Sequence, residues 1–209
     1  MTDRGNELWT PEPLFDQQTV FVLGGGPSLI GFDVERLRGR RVFVVNQSIY
    51  LAPWADALFF MDQHWFDANR AAVEAFGGLR ITAARHSKAA APDLLKRVTF
   101  THGPEFVFGT GNLKFSRTSG HAAICLSIVM GAIKVVLLGF DMRIADGRSH
   151  FHDAYRNNAD KLFRDDFLVH FTGWNDAARK CGVKIVNCTP GSALNEFEHR
   201  PLDEVLAEP

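Results

Sequence analysis

The chain has 209 residues, a length that suits one large α/β domain. Apolar residues make up 46% of it, enough to bury a core on both faces of a sheet. The formal net charge of −1 gives no global field that would favour nucleic acid or an anionic membrane surface.

Residues 1–16, beginning "MTDRGNELWTPEP", read as an irregular N-terminal arm without the apolar region of a signal peptide. "TVFVL" (19–23) reads as the first strand and runs straight into Gly24, Gly25, Gly26, Pro27 and Ser28. Asp33 can cap a short helix, "VERLRG", stopped by Gly39. "RVFVVN" (41–46) and "DALFFMD" (56–62) are the second and third strands, and "HWFDANRAAVEAFGG" (64–78) is a helix stopped by two glycines. "LRITA" and "RVTFTH" are weaker strands, and 103–117 reads as a loop or a short irregular hairpin. "TSGHAAICLSIVMGA" (118–132) is apolar nearly all round, which predicts a buried central helix. "KVVLLGFD" (134–141) is a buried strand, and 142–158 is a long polar loop. Residues 159–181 are helical, "VKIVNCT" (183–189) is the last strand, and a short helical tail follows. The alternation predicts a mainly parallel sheet covered on both faces, in a single domain over 1–209.

Cys125, Cys181 and Cys188 lack the spacing of a zinc site or a redox pair, so reduced thiols in a cytoplasmic protein are expected. No apolar run reaches the length of a membrane span.

In open parallel sheets ligands bind at the carboxyl ends of the strands. The tips found there are rich in polar side chains: the glycine loop, Asn46-Gln47, Asp62, Asp141, and Thr189-Pro190-Gly191-Ser192. The loop is not a dinucleotide fingerprint, because Leu29 stands where the third glycine would be and no acidic residue ends the second strand. It is not a Walker A loop either, because no Gly-Lys-Ser/Thr follows. Bare N–H groups near a helix start still suit a phosphate or a sugar oxygen, as they suit a tight structural turn. "SRTSGH" is a second anion-binding candidate, in which Thr118 or Ser119 caps the buried helix and Arg117 adds a charge. "SHFHD" sets His150 and His152 two apart; they suit a general base and its partner, or a metal, or an exposed loop. His121, inside an apolar helix, reads as a structural histidine.

"VLGGGPSL", "VVNQS", "RTSG", "LGFD" and "CTPGSALNEF", in that order, resemble the bacterial sialyltransferases that use a CMP-linked sugar. "PWADALFFMD" and "HFH" resemble instead a related prophage and polysaccharide-locus family akin to hydroxymethylpterin pyrophosphokinases. Both resemblances imply a Rossmann-like three-layer α/β/α sandwich that binds a nucleotide. The first implies that Gly24, Gly26, Pro27, Ser28, Asn46, Gln47, Thr118, Ser119 and Gly120 hold the nucleotide and its sugar, with Gly25 between them and Thr189, Pro190 and Ser192 nearby. The family base is a histidine before the penultimate helix. Here His170 stands near that place but closer to "TPGS" than the family spacing, which leaves His150 and His152 as alternatives.

Three readings follow. In the first, a glycosyltransferase-like enzyme takes a CMP- or UDP-type sugar donor and an acceptor of unknown kind, and a histidine is the base. In the second, a diphosphotransferase holds Mg²⁺ on Asp62, with Asp141 as an optional second ligand; Asp141 joins His150, His152 and His170 as a candidate catalytic residue. In the third, a phage accessory protein binds a nucleotide without chemistry. Abundant Phe and Trp leave room for an oligomer contact.

Overall fold

The computed structural model describes residues 8–83, 94–115, 118–157 and 159–208. In chain order the strands are Thr19–Leu23 (β1), Arg41–Val45 (β2), Ala57–Phe60 (β3), Leu79–Thr82 (β4), Lys96–Arg97 (β5), Thr99–Thr101 (β6), Asn112–Lys114 (β7), Lys134–Leu138 (β8), Lys184–Asn187 (β9) and Glu198–His199 (β10). The helices are Gln63–Ala75 (α1), Ser119–Val129 (α2), Asp160–Leu162 (α3), Trp174–Lys180 (α4) and Leu202–Leu206 (α5).

Among the described residues, eight strands form one sheet in the order β10-β9-β8-β1-β2-β3-β4-β5, every pair parallel. The chain steps outward from β1 on one side, returns to lay β8 against β1, and steps outward on the other. The order therefore reverses between β1 and β8, where Leu23 pairs with Leu138. A crevice opens at the carboxyl ends of strands at such a reversal.

Alternation along each strand sends side chains to opposite faces. Val20, Val22, Phe43, Val45 and Phe59 pack on one face with Ala122, Ala123 and Leu126 of α2. Phe21, Leu23, Val42, Val44, Leu58 and Phe60 pack on the other with Trp65, Phe66 and Val73 of α1. Nine of the eleven residues of α2 are buried, which accounts for its lack of a polar face. The described part of the N-terminal arm is anchored by Phe15, which is fully buried, lies 6.1 Å from the Phe43 ring and donates its N–H to the Met130 carbonyl.

Five expectations change. β2 stops at Val45, and Asn46, at φ +50°, opens a 3₁₀ turn over Asn46–Tyr50. β3 stops at Phe60, because Asp62 caps α1 by accepting the Trp65 N–H at 2.9 Å. The predicted strand 97–102 divides at Val98: β5 joins the main sheet, while β6 pairs with β7. That pairing is parallel, so 103–115 is a crossover and not a hairpin, since a tight turn can join only antiparallel strands. The helical stretch 159–181 is interrupted: α3 widens into a π turn over Phe163–Phe167, and Gly173, at φ +83°, starts α4 afresh.

Candidate functional site

The glycine loop leaves β1 and is clipped to the end of β8. Gly24 and Gly26 donate their N–H groups to the carbonyls of Leu138 and Gly139, each at 2.8 Å. A Cβ on Gly24 would stand 2.6 Å from the Gly139 carbonyl oxygen, and one on Gly26 would stand 1.9 Å from Asp141 Oδ2. These two glycines are thus required by the approach of β8. Gly25 differs: its N–H takes no part in those bonds, and a Cβ there would meet only His150 Cδ2, at 3.8 Å. Its carbonyl accepts the Phe151 N–H at 3.1 Å, and it is the member of the triplet whose Cα has open space beside it.

Asp141, expected as a catalytic group, holds the loop. Its Oδ1 accepts the Ser28 N–H at 3.0 Å and its Oδ2 the Ser28 hydroxyl at 2.7 Å. Burial pushes its pKa above the ordinary carboxylate value, against the pull of the two Ser28 bonds. Pro27 is buried as the first residue of the 3₁₀ turn after the loop.

Across the crevice stands the N-terminus of α2. Thr118 caps it, its hydroxyl oxygen accepting the His121 N–H at 3.3 Å. The N–H groups of Ser119 and Gly120 open the helix and have no intrahelical acceptor. Gly120 lets Phe140 pack close, since a Cβ would come within 2.9 Å of its ring. The next wall is Asn46-Gln47. Gln47 is 9% exposed, and its Oε1, like Asn46 Oδ1, is buried without a hydrogen-bond partner. Buried amide oxygens are ordinarily satisfied, so this pair is set for a donor that no described residue supplies.

The long loop after β8 supplies the remaining wall. His150, His152 and Tyr155 cluster with ring centroids 5.2–5.6 Å apart. Burial lowers the pKa of His150; burial, then His150 itself, holds His152 down at about 4. Both are therefore neutral at pH 7, and their tautomers follow from their bonds. His152 Nδ1 accepts the Ala154 N–H at 3.2 Å, so its proton sits on Nε2. His150 Nδ1 lies 2.9 Å from the Ser149 hydroxyl, which donates onward to Asn157 Oδ1 at 3.2 Å. Ser149 then accepts from His150 Nδ1–H, and the His150 Nε2 lone pair is left available. Burial pushes the Tyr155 phenol up to about 12, so it remains a donor. Phe163 and Phe167, four apart in the π turn, complete the cleft.

One cleft thus gathers Gly24, Gly25, Gly26, Asn46, Gln47, Thr118, Ser119, Gly120, Asp141, His150 and His152. Asp62 lines an adjoining opening that shares Asn46, Thr118, Ser119, His150 and Tyr155. Arg117 lies outside the described residues. His170 does not line the cleft; its Nδ1 bonds the Asp166 carbonyl at 2.7 Å. Nor do Thr189, Pro190 and Ser192. The Thr189 hydroxyl oxygen accepts the Phe140 N–H at 3.0 Å, and the Ser192 hydroxyl donates to the Phe140 carbonyl at 2.6 Å, so both clip the last loop to β8. Thr189 and Pro190 line a separate groove with Phe32, Cys188 and Leu202.

The residues fit the expected Mg²⁺ poorly: Asp62 Oδ1 is taken by the helix cap, which leaves one of its oxygens, and both oxygens of Asp141 are taken by Ser28. Among the described residues no group of three His, Cys, Asp or Glu side chains could hold a metal ion. Sequence reasoning missed Ser149, Asn157, Phe163 and Phe167. The spacing of the two phenylalanines on a helical stretch was a usable signal; nothing marked the other two.

No protein-family model matches the chain, and no curated protein does. Solved structures do. The chain superposes on the MAf glycosyltransferase from Magnetospirillum magneticum AMB-1 with a TM-score of 0.58 and 16% identity, over 94% of its own length and 36% of the other's. It thus spans about a third of that protein. It superposes on the sialyltransferase CstII from Campylobacter jejuni, in complex with a substrate analogue, cytidine-5′-monophosphate, with a TM-score of 0.54 and 17% identity, over 88% of this chain and 85% of that one. A complex of sialyltransferase CST-II with a trisaccharide acceptor and CMP gives 0.51 and 16%, over 87% and 85%. The fold is sialyltransferase-like. The α/β architecture with a mainly parallel sheet, expected from the alternation of elements, is the one found. Among the described residues no helix is long and apolar enough to cross a membrane.

Proposed function

We propose that the chain is a glycosyltransferase-like enzyme that takes a nucleotide-activated sugar, of CMP or UDP type, into the β1/β8 crevice. The observation that carries this reading is the meeting of unused donors and acceptors there. Gly25, Ser119 and Gly120, whose N–H groups have no intrachain acceptor among the described residues, line one cleft where the positive end of the α2 dipole favours an anion. The amide oxygens of Asn46 and Gln47, partnerless among the described residues, belong to the same cleft. A phosphate with an attached hydroxyl-bearing group satisfies both sets.

The chemistry follows from the histidine tautomers. His150 Nε2 takes the proton of the acceptor hydroxyl, whose oxygen attacks the anomeric carbon of the donor sugar. The bond from that carbon to the phosphate oxygen breaks, and its electron pair leaves with the phosphate. The N–H groups at the α2 terminus stabilise that charge, and His152 Nε2–H and the Tyr155 hydroxyl are further donors in the same cleft.

A thermal-shift series tests the reading, because a ligand that binds only the native state raises the melting temperature. CMP or UDP is expected to stabilise the protein with EDTA present. Stabilisation only by ATP with Mg²⁺ would replace this reading with diphosphoryl transfer. No shift with any nucleotide would overturn both.

A further inference from the structure

His121 is fully buried in α2 and takes no part in the chemistry above. Its Nδ1 lies 2.8 Å from Thr118 Oγ1, the same oxygen that accepts the His121 backbone N–H. Resting on the proposed function, we propose that His121 is a positioning residue: its Nδ1–H donates to Thr118 Oγ1 and thereby turns the Thr118 hydroxyl proton outward, as a donor to the anion at the start of α2.

The argument is one of hydrogen-bond capacity. A threonine hydroxyl has one proton and two lone pairs. An N-cap threonine ordinarily accepts one backbone N–H and leaves its proton free to swing. Here the backbone and ring N–H groups of His121 fill both lone pairs, so only the O–H is left, and Thr118 lines the cleft. The alternative places the proton on Nε2, with the Thr118 hydroxyl donating to Nδ1. That tautomer leaves the buried N–H without a well-formed bond: the His170 main chain lies close enough to act on the ring, but among the described residues Nε2 has no partner in good hydrogen-bond geometry. An unsatisfied buried donor is costly, whereas an idle ring lone pair next to aromatic rings is tolerated. The ring cannot turn away, because it stacks on Phe171 at 3.8 Å and 23° and lies 5.2 Å from Trp174. Burial keeps it neutral, with a pKa held down at about 3.

Nitrogen NMR of the ligand-free protein reads the His121 tautomer directly. The Nδ1–H form is expected, and the Nε2–H form overturns the proposal. His121→Phe keeps the stack and the cap but removes the ring donor. It is expected to weaken CMP binding roughly threefold to tenfold, the range of one ordinary hydrogen bond lost from its best orientation. His121→Asn places a side-chain N–H where Nδ1 stood and should restore most of the affinity, which a merely space-filling role would not require. Unchanged CMP affinity in His121→Phe also overturns the proposal. If the parent protein binds no nucleotide, the proposed function falls, and the tautomer alone decides the orientation of the hydroxyl.

Discussion

Ser28 and Asp141 stand 113 positions apart in sequence and share two hydrogen bonds, N–H to Oδ1 and hydroxyl to Oδ2. The pair locks the glycine loop onto the end of β8 and fixes the floor of the cleft. It also accounts for the spacing of the triplet, in which two glycines make room for β8 and the middle one faces the cavity.

The loop can therefore be divided by mutation. Gly26→Ala forces a Cβ into the Asp141 carboxylate and should destabilise by roughly 2–3 kcal/mol or more, as overpacking of a tight core site does. Gly25→Ala meets nothing closer than 3.8 Å and should leave urea stability within about 0.5 kcal/mol while weakening nucleotide binding. Equal destabilisation by the two would contradict the assignment.

Ser192 separates structural from binding roles at the last loop. Its O–H donates to the Phe140 carbonyl, and its oxygen accepts from the Asn187 Nδ2–H and the Leu194 N–H, the two accepted bonds each at 3.0 Å. Ser192→Ala should cost about 1–3 kcal/mol of stability and leave the CMP or UDP dissociation constant unchanged. A selective loss of affinity would return this loop to the ligand.

Asp62→Ala removes the cap of α1 and should cost about 1 kcal/mol by chemical denaturation. EDTA should not alter nucleotide affinity in the parent or in the variant. Titration calorimetry with and without EDTA checks this.

His121 makes stability depend on pH. Its pKa is near 6.5 when unfolded and about 3 when folded, so below pH 6.5 the unfolded chain binds the extra proton. The stability it contributes is complete above pH 6.5 and is lost as pH falls toward 3, by about 2 kcal/mol at pH 5. His121→Asn should flatten that part of the slope in melts taken from pH 7 to pH 5.

The two loop histidines should differ in kind. On the proposed function, His150→Ala removes the base and should lower the turnover of sugar transfer by about 10²–10⁴-fold. His152→Ala removes a donor and should act less. In the parent, the acid limb of the pH–rate profile should fall below the ordinary histidine value, since burial lowers the pKa of His150. Rates that survive His150→Ala would exclude it as the base.

Much of this was legible in the residues. The sheet showed as short apolar runs, because strands buried on both faces have no polar alternation to hide them. The cleft showed as polar strand ends, because parallel strands deliver all their carboxyl tips to one edge. What those tips do was not legible. Thr189 and Asn46 look alike as tips, yet one clips a loop and the other keeps an idle amide oxygen. That difference depends on which neighbour arrives from far along the chain. The break at Gly173 was hidden for a similar reason, since its glycine sits inside an otherwise helical run.

The topology also sets when the cleft comes into being during folding. Strands β1 to β4 join neighbours close in sequence, whereas β8 must close a loop of more than a hundred residues to reach β1. Such distant pairings form late, because the closure entropy is lost before their contacts are gained. Until β8 docks, the glycine loop has neither carbonyl to bond nor Asp141 to hold Ser28. Ligand capture in a refolding experiment should therefore lag behind the gain of secondary structure and coincide with the final burial of Phe140.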